Sequence, residues 1–203
     1  MNLYKFHSKP ETLDRYAERD QIVPERVYEI AKSGKKLTQR QEDALAKSPL
    51  YAFHYACNVL KKPFPAGEAA IAKSSKYAYL YTYDMLKKPF PAGEAAIAKE
   101  AYYAYRYARN VLKKPWPKGE VSISKDANYS YYYAYYVLEK PFPAGEAAIA
   151  KDAHYVYQYA RDILKKPFPE GEVAIAKHAD YAYEYARNVL KLPEKEAKQW
   201  GKK

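Results

Sequence analysis

The chain has 203 residues, with 35 lysines and arginines against 24 aspartates and glutamates, for a net charge of +11. That length allows one domain with a sizeable core or one continuous array, and the charge favours an acidic partner: nucleic acid, a small anionic ligand or an acidic protein. The single cysteine, Cys57, excludes an intrachain disulfide and fits a reducing, cytoplasmic setting; residues 1–10 lack the apolar core of a signal peptide, and no run of about 18 apolar residues exists to span a membrane.

Residues 1–47 read as a helical entrance. Ser8 is placed as an N-cap, with Pro10 and Glu11 in a first turn and Leu13, Tyr16 and Ala17 at helical spacing. A second helix is expected from Pro24, carrying Val27, Ile30 and Ala31 and stopped by Ser33 and Gly34. A third, short helix is expected from a cap at Thr38, carrying Ala44 and Leu45. Residues 42–47 are a worn copy of residues 68–73, so 22–47 read as a diverged repeat that caps an array.

Residues 48–193 are tandem repeats. Residues 61–73 read Lys-Lys-Pro-Phe-Pro-Ala-Gly-Glu-Ala-Ala-Ile-Ala-Lys, and the closing lysines Lys73, Lys99, Lys125, Lys151 and Lys177 recur every 26 residues. With the first residue of a repeat (Ser48, Ser74 and so on) as position 1, positions 4, 6 and 8 are nearly always tyrosine. That alternation imitates a strand, but Ala104, Tyr107, Ala108, Val111 and Leu112 continue at spacings of three and four, which is helical. At 100° per residue, the uniform positions 2, 4, 5, 6, 8, 9, 12 and 13 fill an arc of roughly 200°, and the variable positions 3, 7, 10, 11 and 14 fill roughly 100°. The long helix ends at Pro63, Pro89, Pro115, Pro141, Pro167 and Pro193. Phe64, Phe90, Trp116, Phe142 and Phe168 are expected to plug the space between helices. Gly67-Glu68 and its copies should then open a short helix anchored by Ile71, Ile97, Ile123, Ile149 and Ile175. The fold expected is an all-α solenoid of long-helix, proline-turn and short-helix repeats, closed by a charged tail at 194–203 in which Trp200 forms a lid.

The pattern Tyr-Ala-Tyr-Xaa-Tyr-Ala-Xaa-Xaa-Val-Leu-Lys-Xaa-Pro-Phe-Pro-Xaa-Gly-Glu-Xaa-Ala-Ile-Ala, over about residues 48–193, resembles the short helical repeats of uncharacterised bacteriophage and viral proteins. Ser130 and Thr82 in place of alanine and Glu139 in place of lysine are mild departures. The resemblance implies an all-helical array of viral origin and no catalytic residue. By analogy it also suggests a role in blocking a host defence factor.

The candidate chemistry is correspondingly narrow. His7, His54, His154 and His178 form no metal-ligand spacing, Cys57 has no histidine placed beside it, and the glycines are mostly turn glycines rather than a phosphate loop. No enzyme and no cofactor are expected. Lysines at positions 14, 15 and 26 could track a phosphate backbone, although last-turn lysines also offset the helix dipole. The variable arc carries an excess of tyrosine and arginine, residues enriched in interface hot spots. A protein partner is therefore expected on Tyr83, Tyr102, Arg106, Arg109, Tyr132, Tyr135, Tyr136, Arg161 and Arg187.

Overall fold

The structure, a computed structural model, describes residues 22–201. It is all-helical, and helices pack in successive adjacent pairs as an α-repeat array. The helix expected around Ser8 to Ala17 lies outside the described residues. The entrance contains α1 (Pro24–Lys32) and α2 (Gln39–Ala46). Val27 and Ala31 are buried under α1, and Gly34 leaves it at φ +81°. Thr38 caps α2 reciprocally with Gln41.

The long helix of each repeat opens with α3 (Pro49–His54), α5 (Ser75–Leu80), α7 (Ala101–Tyr107), α9 (Ala127–Tyr133), α11 (Ala153–Gln158) or α13 (Ala179–Asn188), and in the five regular repeats it runs on into a π-type segment. The short ones are α4 (Pro65–Ile71), α6 (Pro91–Ile97), α8 (Pro117–Ile123), α10 (Pro143–Ile149), α12 (Pro169–Ile175) and the closing α14 (Glu194–Ala197). Side chains of Ser48, Ser74, Asp126 and Asp152 accept from backbone N–H groups in the first turns of their helices. Each long helix packs on its own short helix and on the next long helix.

Three details differ from the simple helical reading. First, the long helices of the five regular repeats finish in π-type turns, Tyr55–Leu60 after α3 and its equivalents down to Tyr159–Leu164 after α11. A π turn takes one more residue than an α turn, so positions 10 to 13 are rotated away from where a uniform 100° step puts them. Val59, Leu60, Met85 and Leu86 are accordingly half-buried rather than core. The position 4 tyrosines Tyr51, Tyr77, Tyr103, Tyr129, Tyr155 and Tyr181, ahead of any π turn, are also half-buried rather than core. Second, position 14 lies beyond the helix. Lys61, Lys87, Lys113, Glu139 and Lys165 sit at φ 53–54° and Lys191 at 61°. A left-handed conformation costs a non-glycine residue roughly 1–2 kcal/mol, and here it reverses the chain into the proline turn. Third, the short helix begins at the second proline, two residues before the glycine.

That glycine is needed for space. A Cβ on Gly67 would lie 2.6 Å from Cβ of Ala52 and 2.6 Å from Cδ1 of Phe64. The short helix therefore rests directly on position 5 of the long helix, and no other residue permits that approach.

One residue per repeat crosses the joint. The position 8 tyrosines Tyr81, Tyr107, Tyr133, Tyr159 and Tyr185 are fully buried. The Tyr81 hydroxyl donates to Oε1 of Glu68 at 2.9 Å and accepts the Phe64 N–H at 3.0 Å, both in the preceding repeat. Tyr133 does the same with Glu120 at 2.8 Å and Trp116 at 2.7 Å. Tyr107, Tyr159 and Tyr185 repeat the pattern. Tyr55 donates to Glu42, which ties the first regular repeat to α2 in the same way. Each tyrosine ring meets the aromatic of its own turn edge-on, at centroid distances of 4.9–5.6 Å. At the end of the array Trp200 supplies that ring for Tyr185, 5.3 Å away.

Two predictions follow from these joints. Tyr107→Phe keeps the ring but strands the Phe90 N–H, and should lower unfolding free energy by about 1–3 kcal/mol in a denaturant titration. The array should also unfold in alkali. Burial first, and the glutamate second, push the Tyr55 hydroxyl up to about 12, and burial pushes the other position 8 hydroxyls up as well. A proton held more tightly in the folded than in the unfolded chain gives stability that is complete below the unfolded tyrosine value of about 10 and is lost as the pH rises through the folded value. Thermal midpoints should hold up to about pH 10 and fall beyond it, which helical circular dichroism would follow.

Candidate protein-binding face

Positions 3, 7, 10 and 11 of successive long helices form one continuous face. Its foundation is the position 6 tyrosine, whose ring is buried in Tyr79, Tyr105, Tyr131 and Tyr157. In most joints its hydroxyl meets polar groups of the next repeat. Tyr79 accepts from Arg106 Nε at 3.3 Å and Asn110 Nδ2 at 3.0 Å. Tyr131 donates to Asp162 Oδ2 at 2.9 Å, and Tyr157 accepts from Asn188 Nδ2 at 2.8 Å. Tyr28 accepts from Asn58 in the same manner at the entrance. Variation at positions 7 and 11 is therefore constrained: several of these side chains must satisfy a hydroxyl presented by the preceding repeat.

Around the third and fourth repeats the face becomes a lattice of rings. Tyr83 stacks on Tyr79 at 5.8 Å and 17°. Tyr132 stacks on Tyr105 at 6.1 Å and 25° and touches Tyr136 at 5.9 Å. Tyr135 meets Tyr131 at 5.8 Å and Tyr136 edge-on at 4.8 Å. Tyr102 packs against Tyr103 and Tyr129. Two guanidinium groups lie within this lattice. That of Arg106 sits 5.6 Å from the Tyr102 ring and 5.8 Å from Tyr79. That of Arg109 lies 3.8 Å from the Tyr136 ring centroid and donates from Nη1 to the Tyr105 hydroxyl at 2.7 Å. Tyr83, Tyr102, Tyr135 and Tyr136 nevertheless remain 40–44% exposed.

Of the residues expected at the interface, Tyr102, Arg106, Arg109, Tyr132, Tyr135 and Tyr136 come together, with Tyr83 on their border. Tyr132 is half-buried and supports the others. Arg161 and Arg187 do not join them. Arg161 is held by Asp162 at 2.6 and 2.8 Å and by the Tyr157 hydroxyl at 3.2 Å. Arg187 donates to the Leu192 carbonyl at 2.6 Å and secures the turn after α13. The Asp162 contacts push the Arg161 guanidinium further up, and Arg161 holds the Asp162 carboxyl below its usual range.

Other candidate chemistry is dispersed. His154 Nδ1 is 3.0 Å from the Tyr181 hydroxyl, and burial pushes the half-buried Cys57 thiol up. Among the described residues no group of three histidine, cysteine or acidic side chains could hold a metal. No described helix is long and apolar enough to cross a membrane. Hollows of about 490 Å³ against Lys47 and Lys73, and of about 590 Å³ against Lys177 and Trp200, lie near the two ends of the array, away from the ring lattice.

No family model, curated protein or solved structure matches the chain.

Sequence reasoning missed the joint between Glu68 and Tyr81. Its signal was present: the glutamate and the position 8 tyrosine recur together, always 13 residues apart. It also missed the pairing between position 6 and the next repeat's positions 7 and 11.

The contrast between Arg109 and Arg161 is open to chemical test. Dicarbonyl reagents attack the neutral guanidine, which the Asp162 pair makes rarer. Limited phenylglyoxal treatment followed by peptide mass spectrometry should modify Arg109 before Arg161, and Asp162→Asn should bring Arg161 level with Arg109.

Proposed function

We propose that this protein is a non-enzymatic binding module whose long-helix face, centred on the third and fourth repeats, docks a protein partner. The observation that supports this most directly is the set of four exposed tyrosines, Tyr83, Tyr102, Tyr135 and Tyr136, each held in place by ring contacts beneath or beside it. Tyrosine loses little conformational freedom on binding, and rings already packed lose less. Arginine among them adds a second residue type enriched in hot spots. The joints between repeats hold this face through buried groups that take no part in it. Its outward residues at positions 3 and 10 can therefore change from copy to copy without loss of those joints. A virally encoded array of this kind would act by occupying a host protein.

The test is affinity capture from host lysate, with nuclease added. Wild type is compared with a variant carrying Tyr83→Ser, Tyr102→Ser, Tyr135→Ser and Tyr136→Ser. A protein retained by wild type should fall by about tenfold or more on the variant, as expected when several hot-spot residues are truncated. An equally strong capture by a variant with wild-type circular dichroism would refute this face.

A further inference from the structure

Position 10 is an arginine in the third, fifth and sixth repeats. Arg187 of the sixth is tied to the Leu192 carbonyl in the closing turn, whereas Arg109 and Arg161, both on regular repeats, differ in what neutralises them. In the fifth repeat, position 11 is Asp162. It accepts the Tyr131 hydroxyl of the repeat before and pairs with Arg161 through both carboxylate oxygens. In the third repeat, position 11 is Asn110, whose amide nitrogen serves the equivalent hydroxyl, that of Tyr79. The hydroxyl is satisfied in both cases. The charge is satisfied in only one.

Arg109 instead lies on the face of Tyr136 and gives one N–H to Tyr105, while Arg106, one turn earlier on the same helix, gives Nε to Tyr79. A guanidinium carries five N–H donors, so these contacts orient each group and leave donors over. Among the described residues neither arginine forms an ion pair. Stacking on aromatic rings fixes the plane of a guanidinium, and a fixed fork is suited to two-point recognition of a planar carboxylate. Exposed tyrosines, Tyr102 beside Arg106 and Tyr136 under Arg109, form the surroundings.

We infer that Arg106 and Arg109 form an open anion-reading site, left unquenched by Asn110, that takes the carboxylates of a short acidic segment of a partner polypeptide. The inference rests on the reading of this face as a protein-binding surface and states what chemistry the partner brings to its centre. The occupant follows from charge complementarity. The positive pair is local, because positions 7 and 10 of the neighbouring repeats are Leu80, Tyr83, Tyr132 and Tyr135. Further along the same face stand the carboxylates of Asp84 on one side and Asp162 and Glu184 on the other. A continuous phosphate backbone laid across the repeats would meet both, whereas a short acidic segment needs only the third repeat and its border.

The experiment measures fluorescence anisotropy of labelled oligoglutamate with the full chain, and of labelled oligothymidylate alongside. Asn110→Asp transplants the arrangement of the fifth repeat: the new carboxylate would accept the Tyr79 hydroxyl and pair with Arg109. Oligoglutamate should bind wild type and lose about tenfold in affinity to Asn110→Asp, with helical circular dichroism and thermal midpoint unchanged. Arg106→Gln with Arg109→Gln should lose at least as much, and serves as the reading variant if Asn110→Asp does not fold. Asp162→Asn should bind no more weakly than wild type. The site is overturned if wild type does not bind oligoglutamate, or if folded Asn110→Asp binds it as tightly as wild type. Tighter binding of oligothymidylate with a steep salt slope would also overturn it, in favour of a phosphate ligand. In the lysate comparison, a partner lost by the tyrosine variant but kept by Asn110→Asp would leave the face standing and remove the arginine pair. A partner kept by both would remove the two readings together.

Discussion

The array depends on one buried hydroxyl per repeat. A proline turn that enters the core creates a difficulty: Phe64 lies between two prolines, its N–H is the backbone donor available there, and it is buried with no helix of its own to use it. Tyr81 of the next repeat removes the difficulty by accepting a hydrogen bond from that N–H and donating its own O–H to Glu68. An unpaired buried donor costs on the order of 1–3 kcal/mol, so each turn is fully satisfied only when its successor has folded against it. Stability is thereby passed from repeat to repeat, which is how a solenoid gains cooperativity through contacts between neighbouring repeats. The end of the array obeys the same logic. The sixth repeat has Pro193 and Glu194 where the others have the proline-flanked aromatic, so no buried aromatic N–H is created, and Trp200 supplies the missing ring.

The close contacts of each repeat follow from that joint. The turn must bring the short helix back onto position 5 of the long helix, which requires glycine at Gly67 and its copies for space alone. It must also reverse the chain within a few residues, and the left-handed residue at position 14 does so. Five of the six such residues are lysine and none is glycine. The strain is held because the proline that follows and the joint that receives the turn leave the chain little alternative. The turn fixes the backbone at this position and not the side chain, since Glu139 adopts the same conformation as the lysines.

The long-helix face answers to two demands. Positions 7 and 11 often bond the hydroxyl at position 6 of the repeat before, while position 10 is released to project outward. Arginine, asparagine, aspartate and glutamate all meet the first demand, so these positions vary without being unconstrained. Where the choice falls on aspartate, as at Asp162, a neighbouring arginine is neutralised. Where it falls on asparagine, as at Asn110, the preceding Arg109 forms no ion pair among the described residues. A single polar choice at position 11 thus sets the charge state of the face at that repeat.

The amino-acid sequence by itself determined the 26-residue period, the helix starts at Ser48, Asp126 and Asp152, the stop before each proline pair, and the burial of the tyrosines at positions 6 and 8. These are legible because they depend on neighbours within a turn or two: caps, missing N–H groups and apolar spacing. It also brought most of the exposed tyrosines and Arg106 and Arg109 onto one arc. What only the tertiary structure decided is which distant group each polar atom meets. Glu68 and Tyr81 are 13 residues apart, Tyr79 and Asn110 are 31 apart, and both pairings depend on the register between adjacent repeats. The π turns alter that register by one residue in a stretch whose composition does not announce them. Arg109 and Arg161 already differ in the residue that follows each, Asn110 against Asp162; what packing decides is that each of those side chains also meets a tyrosine hydroxyl of the preceding repeat, 31 residues away.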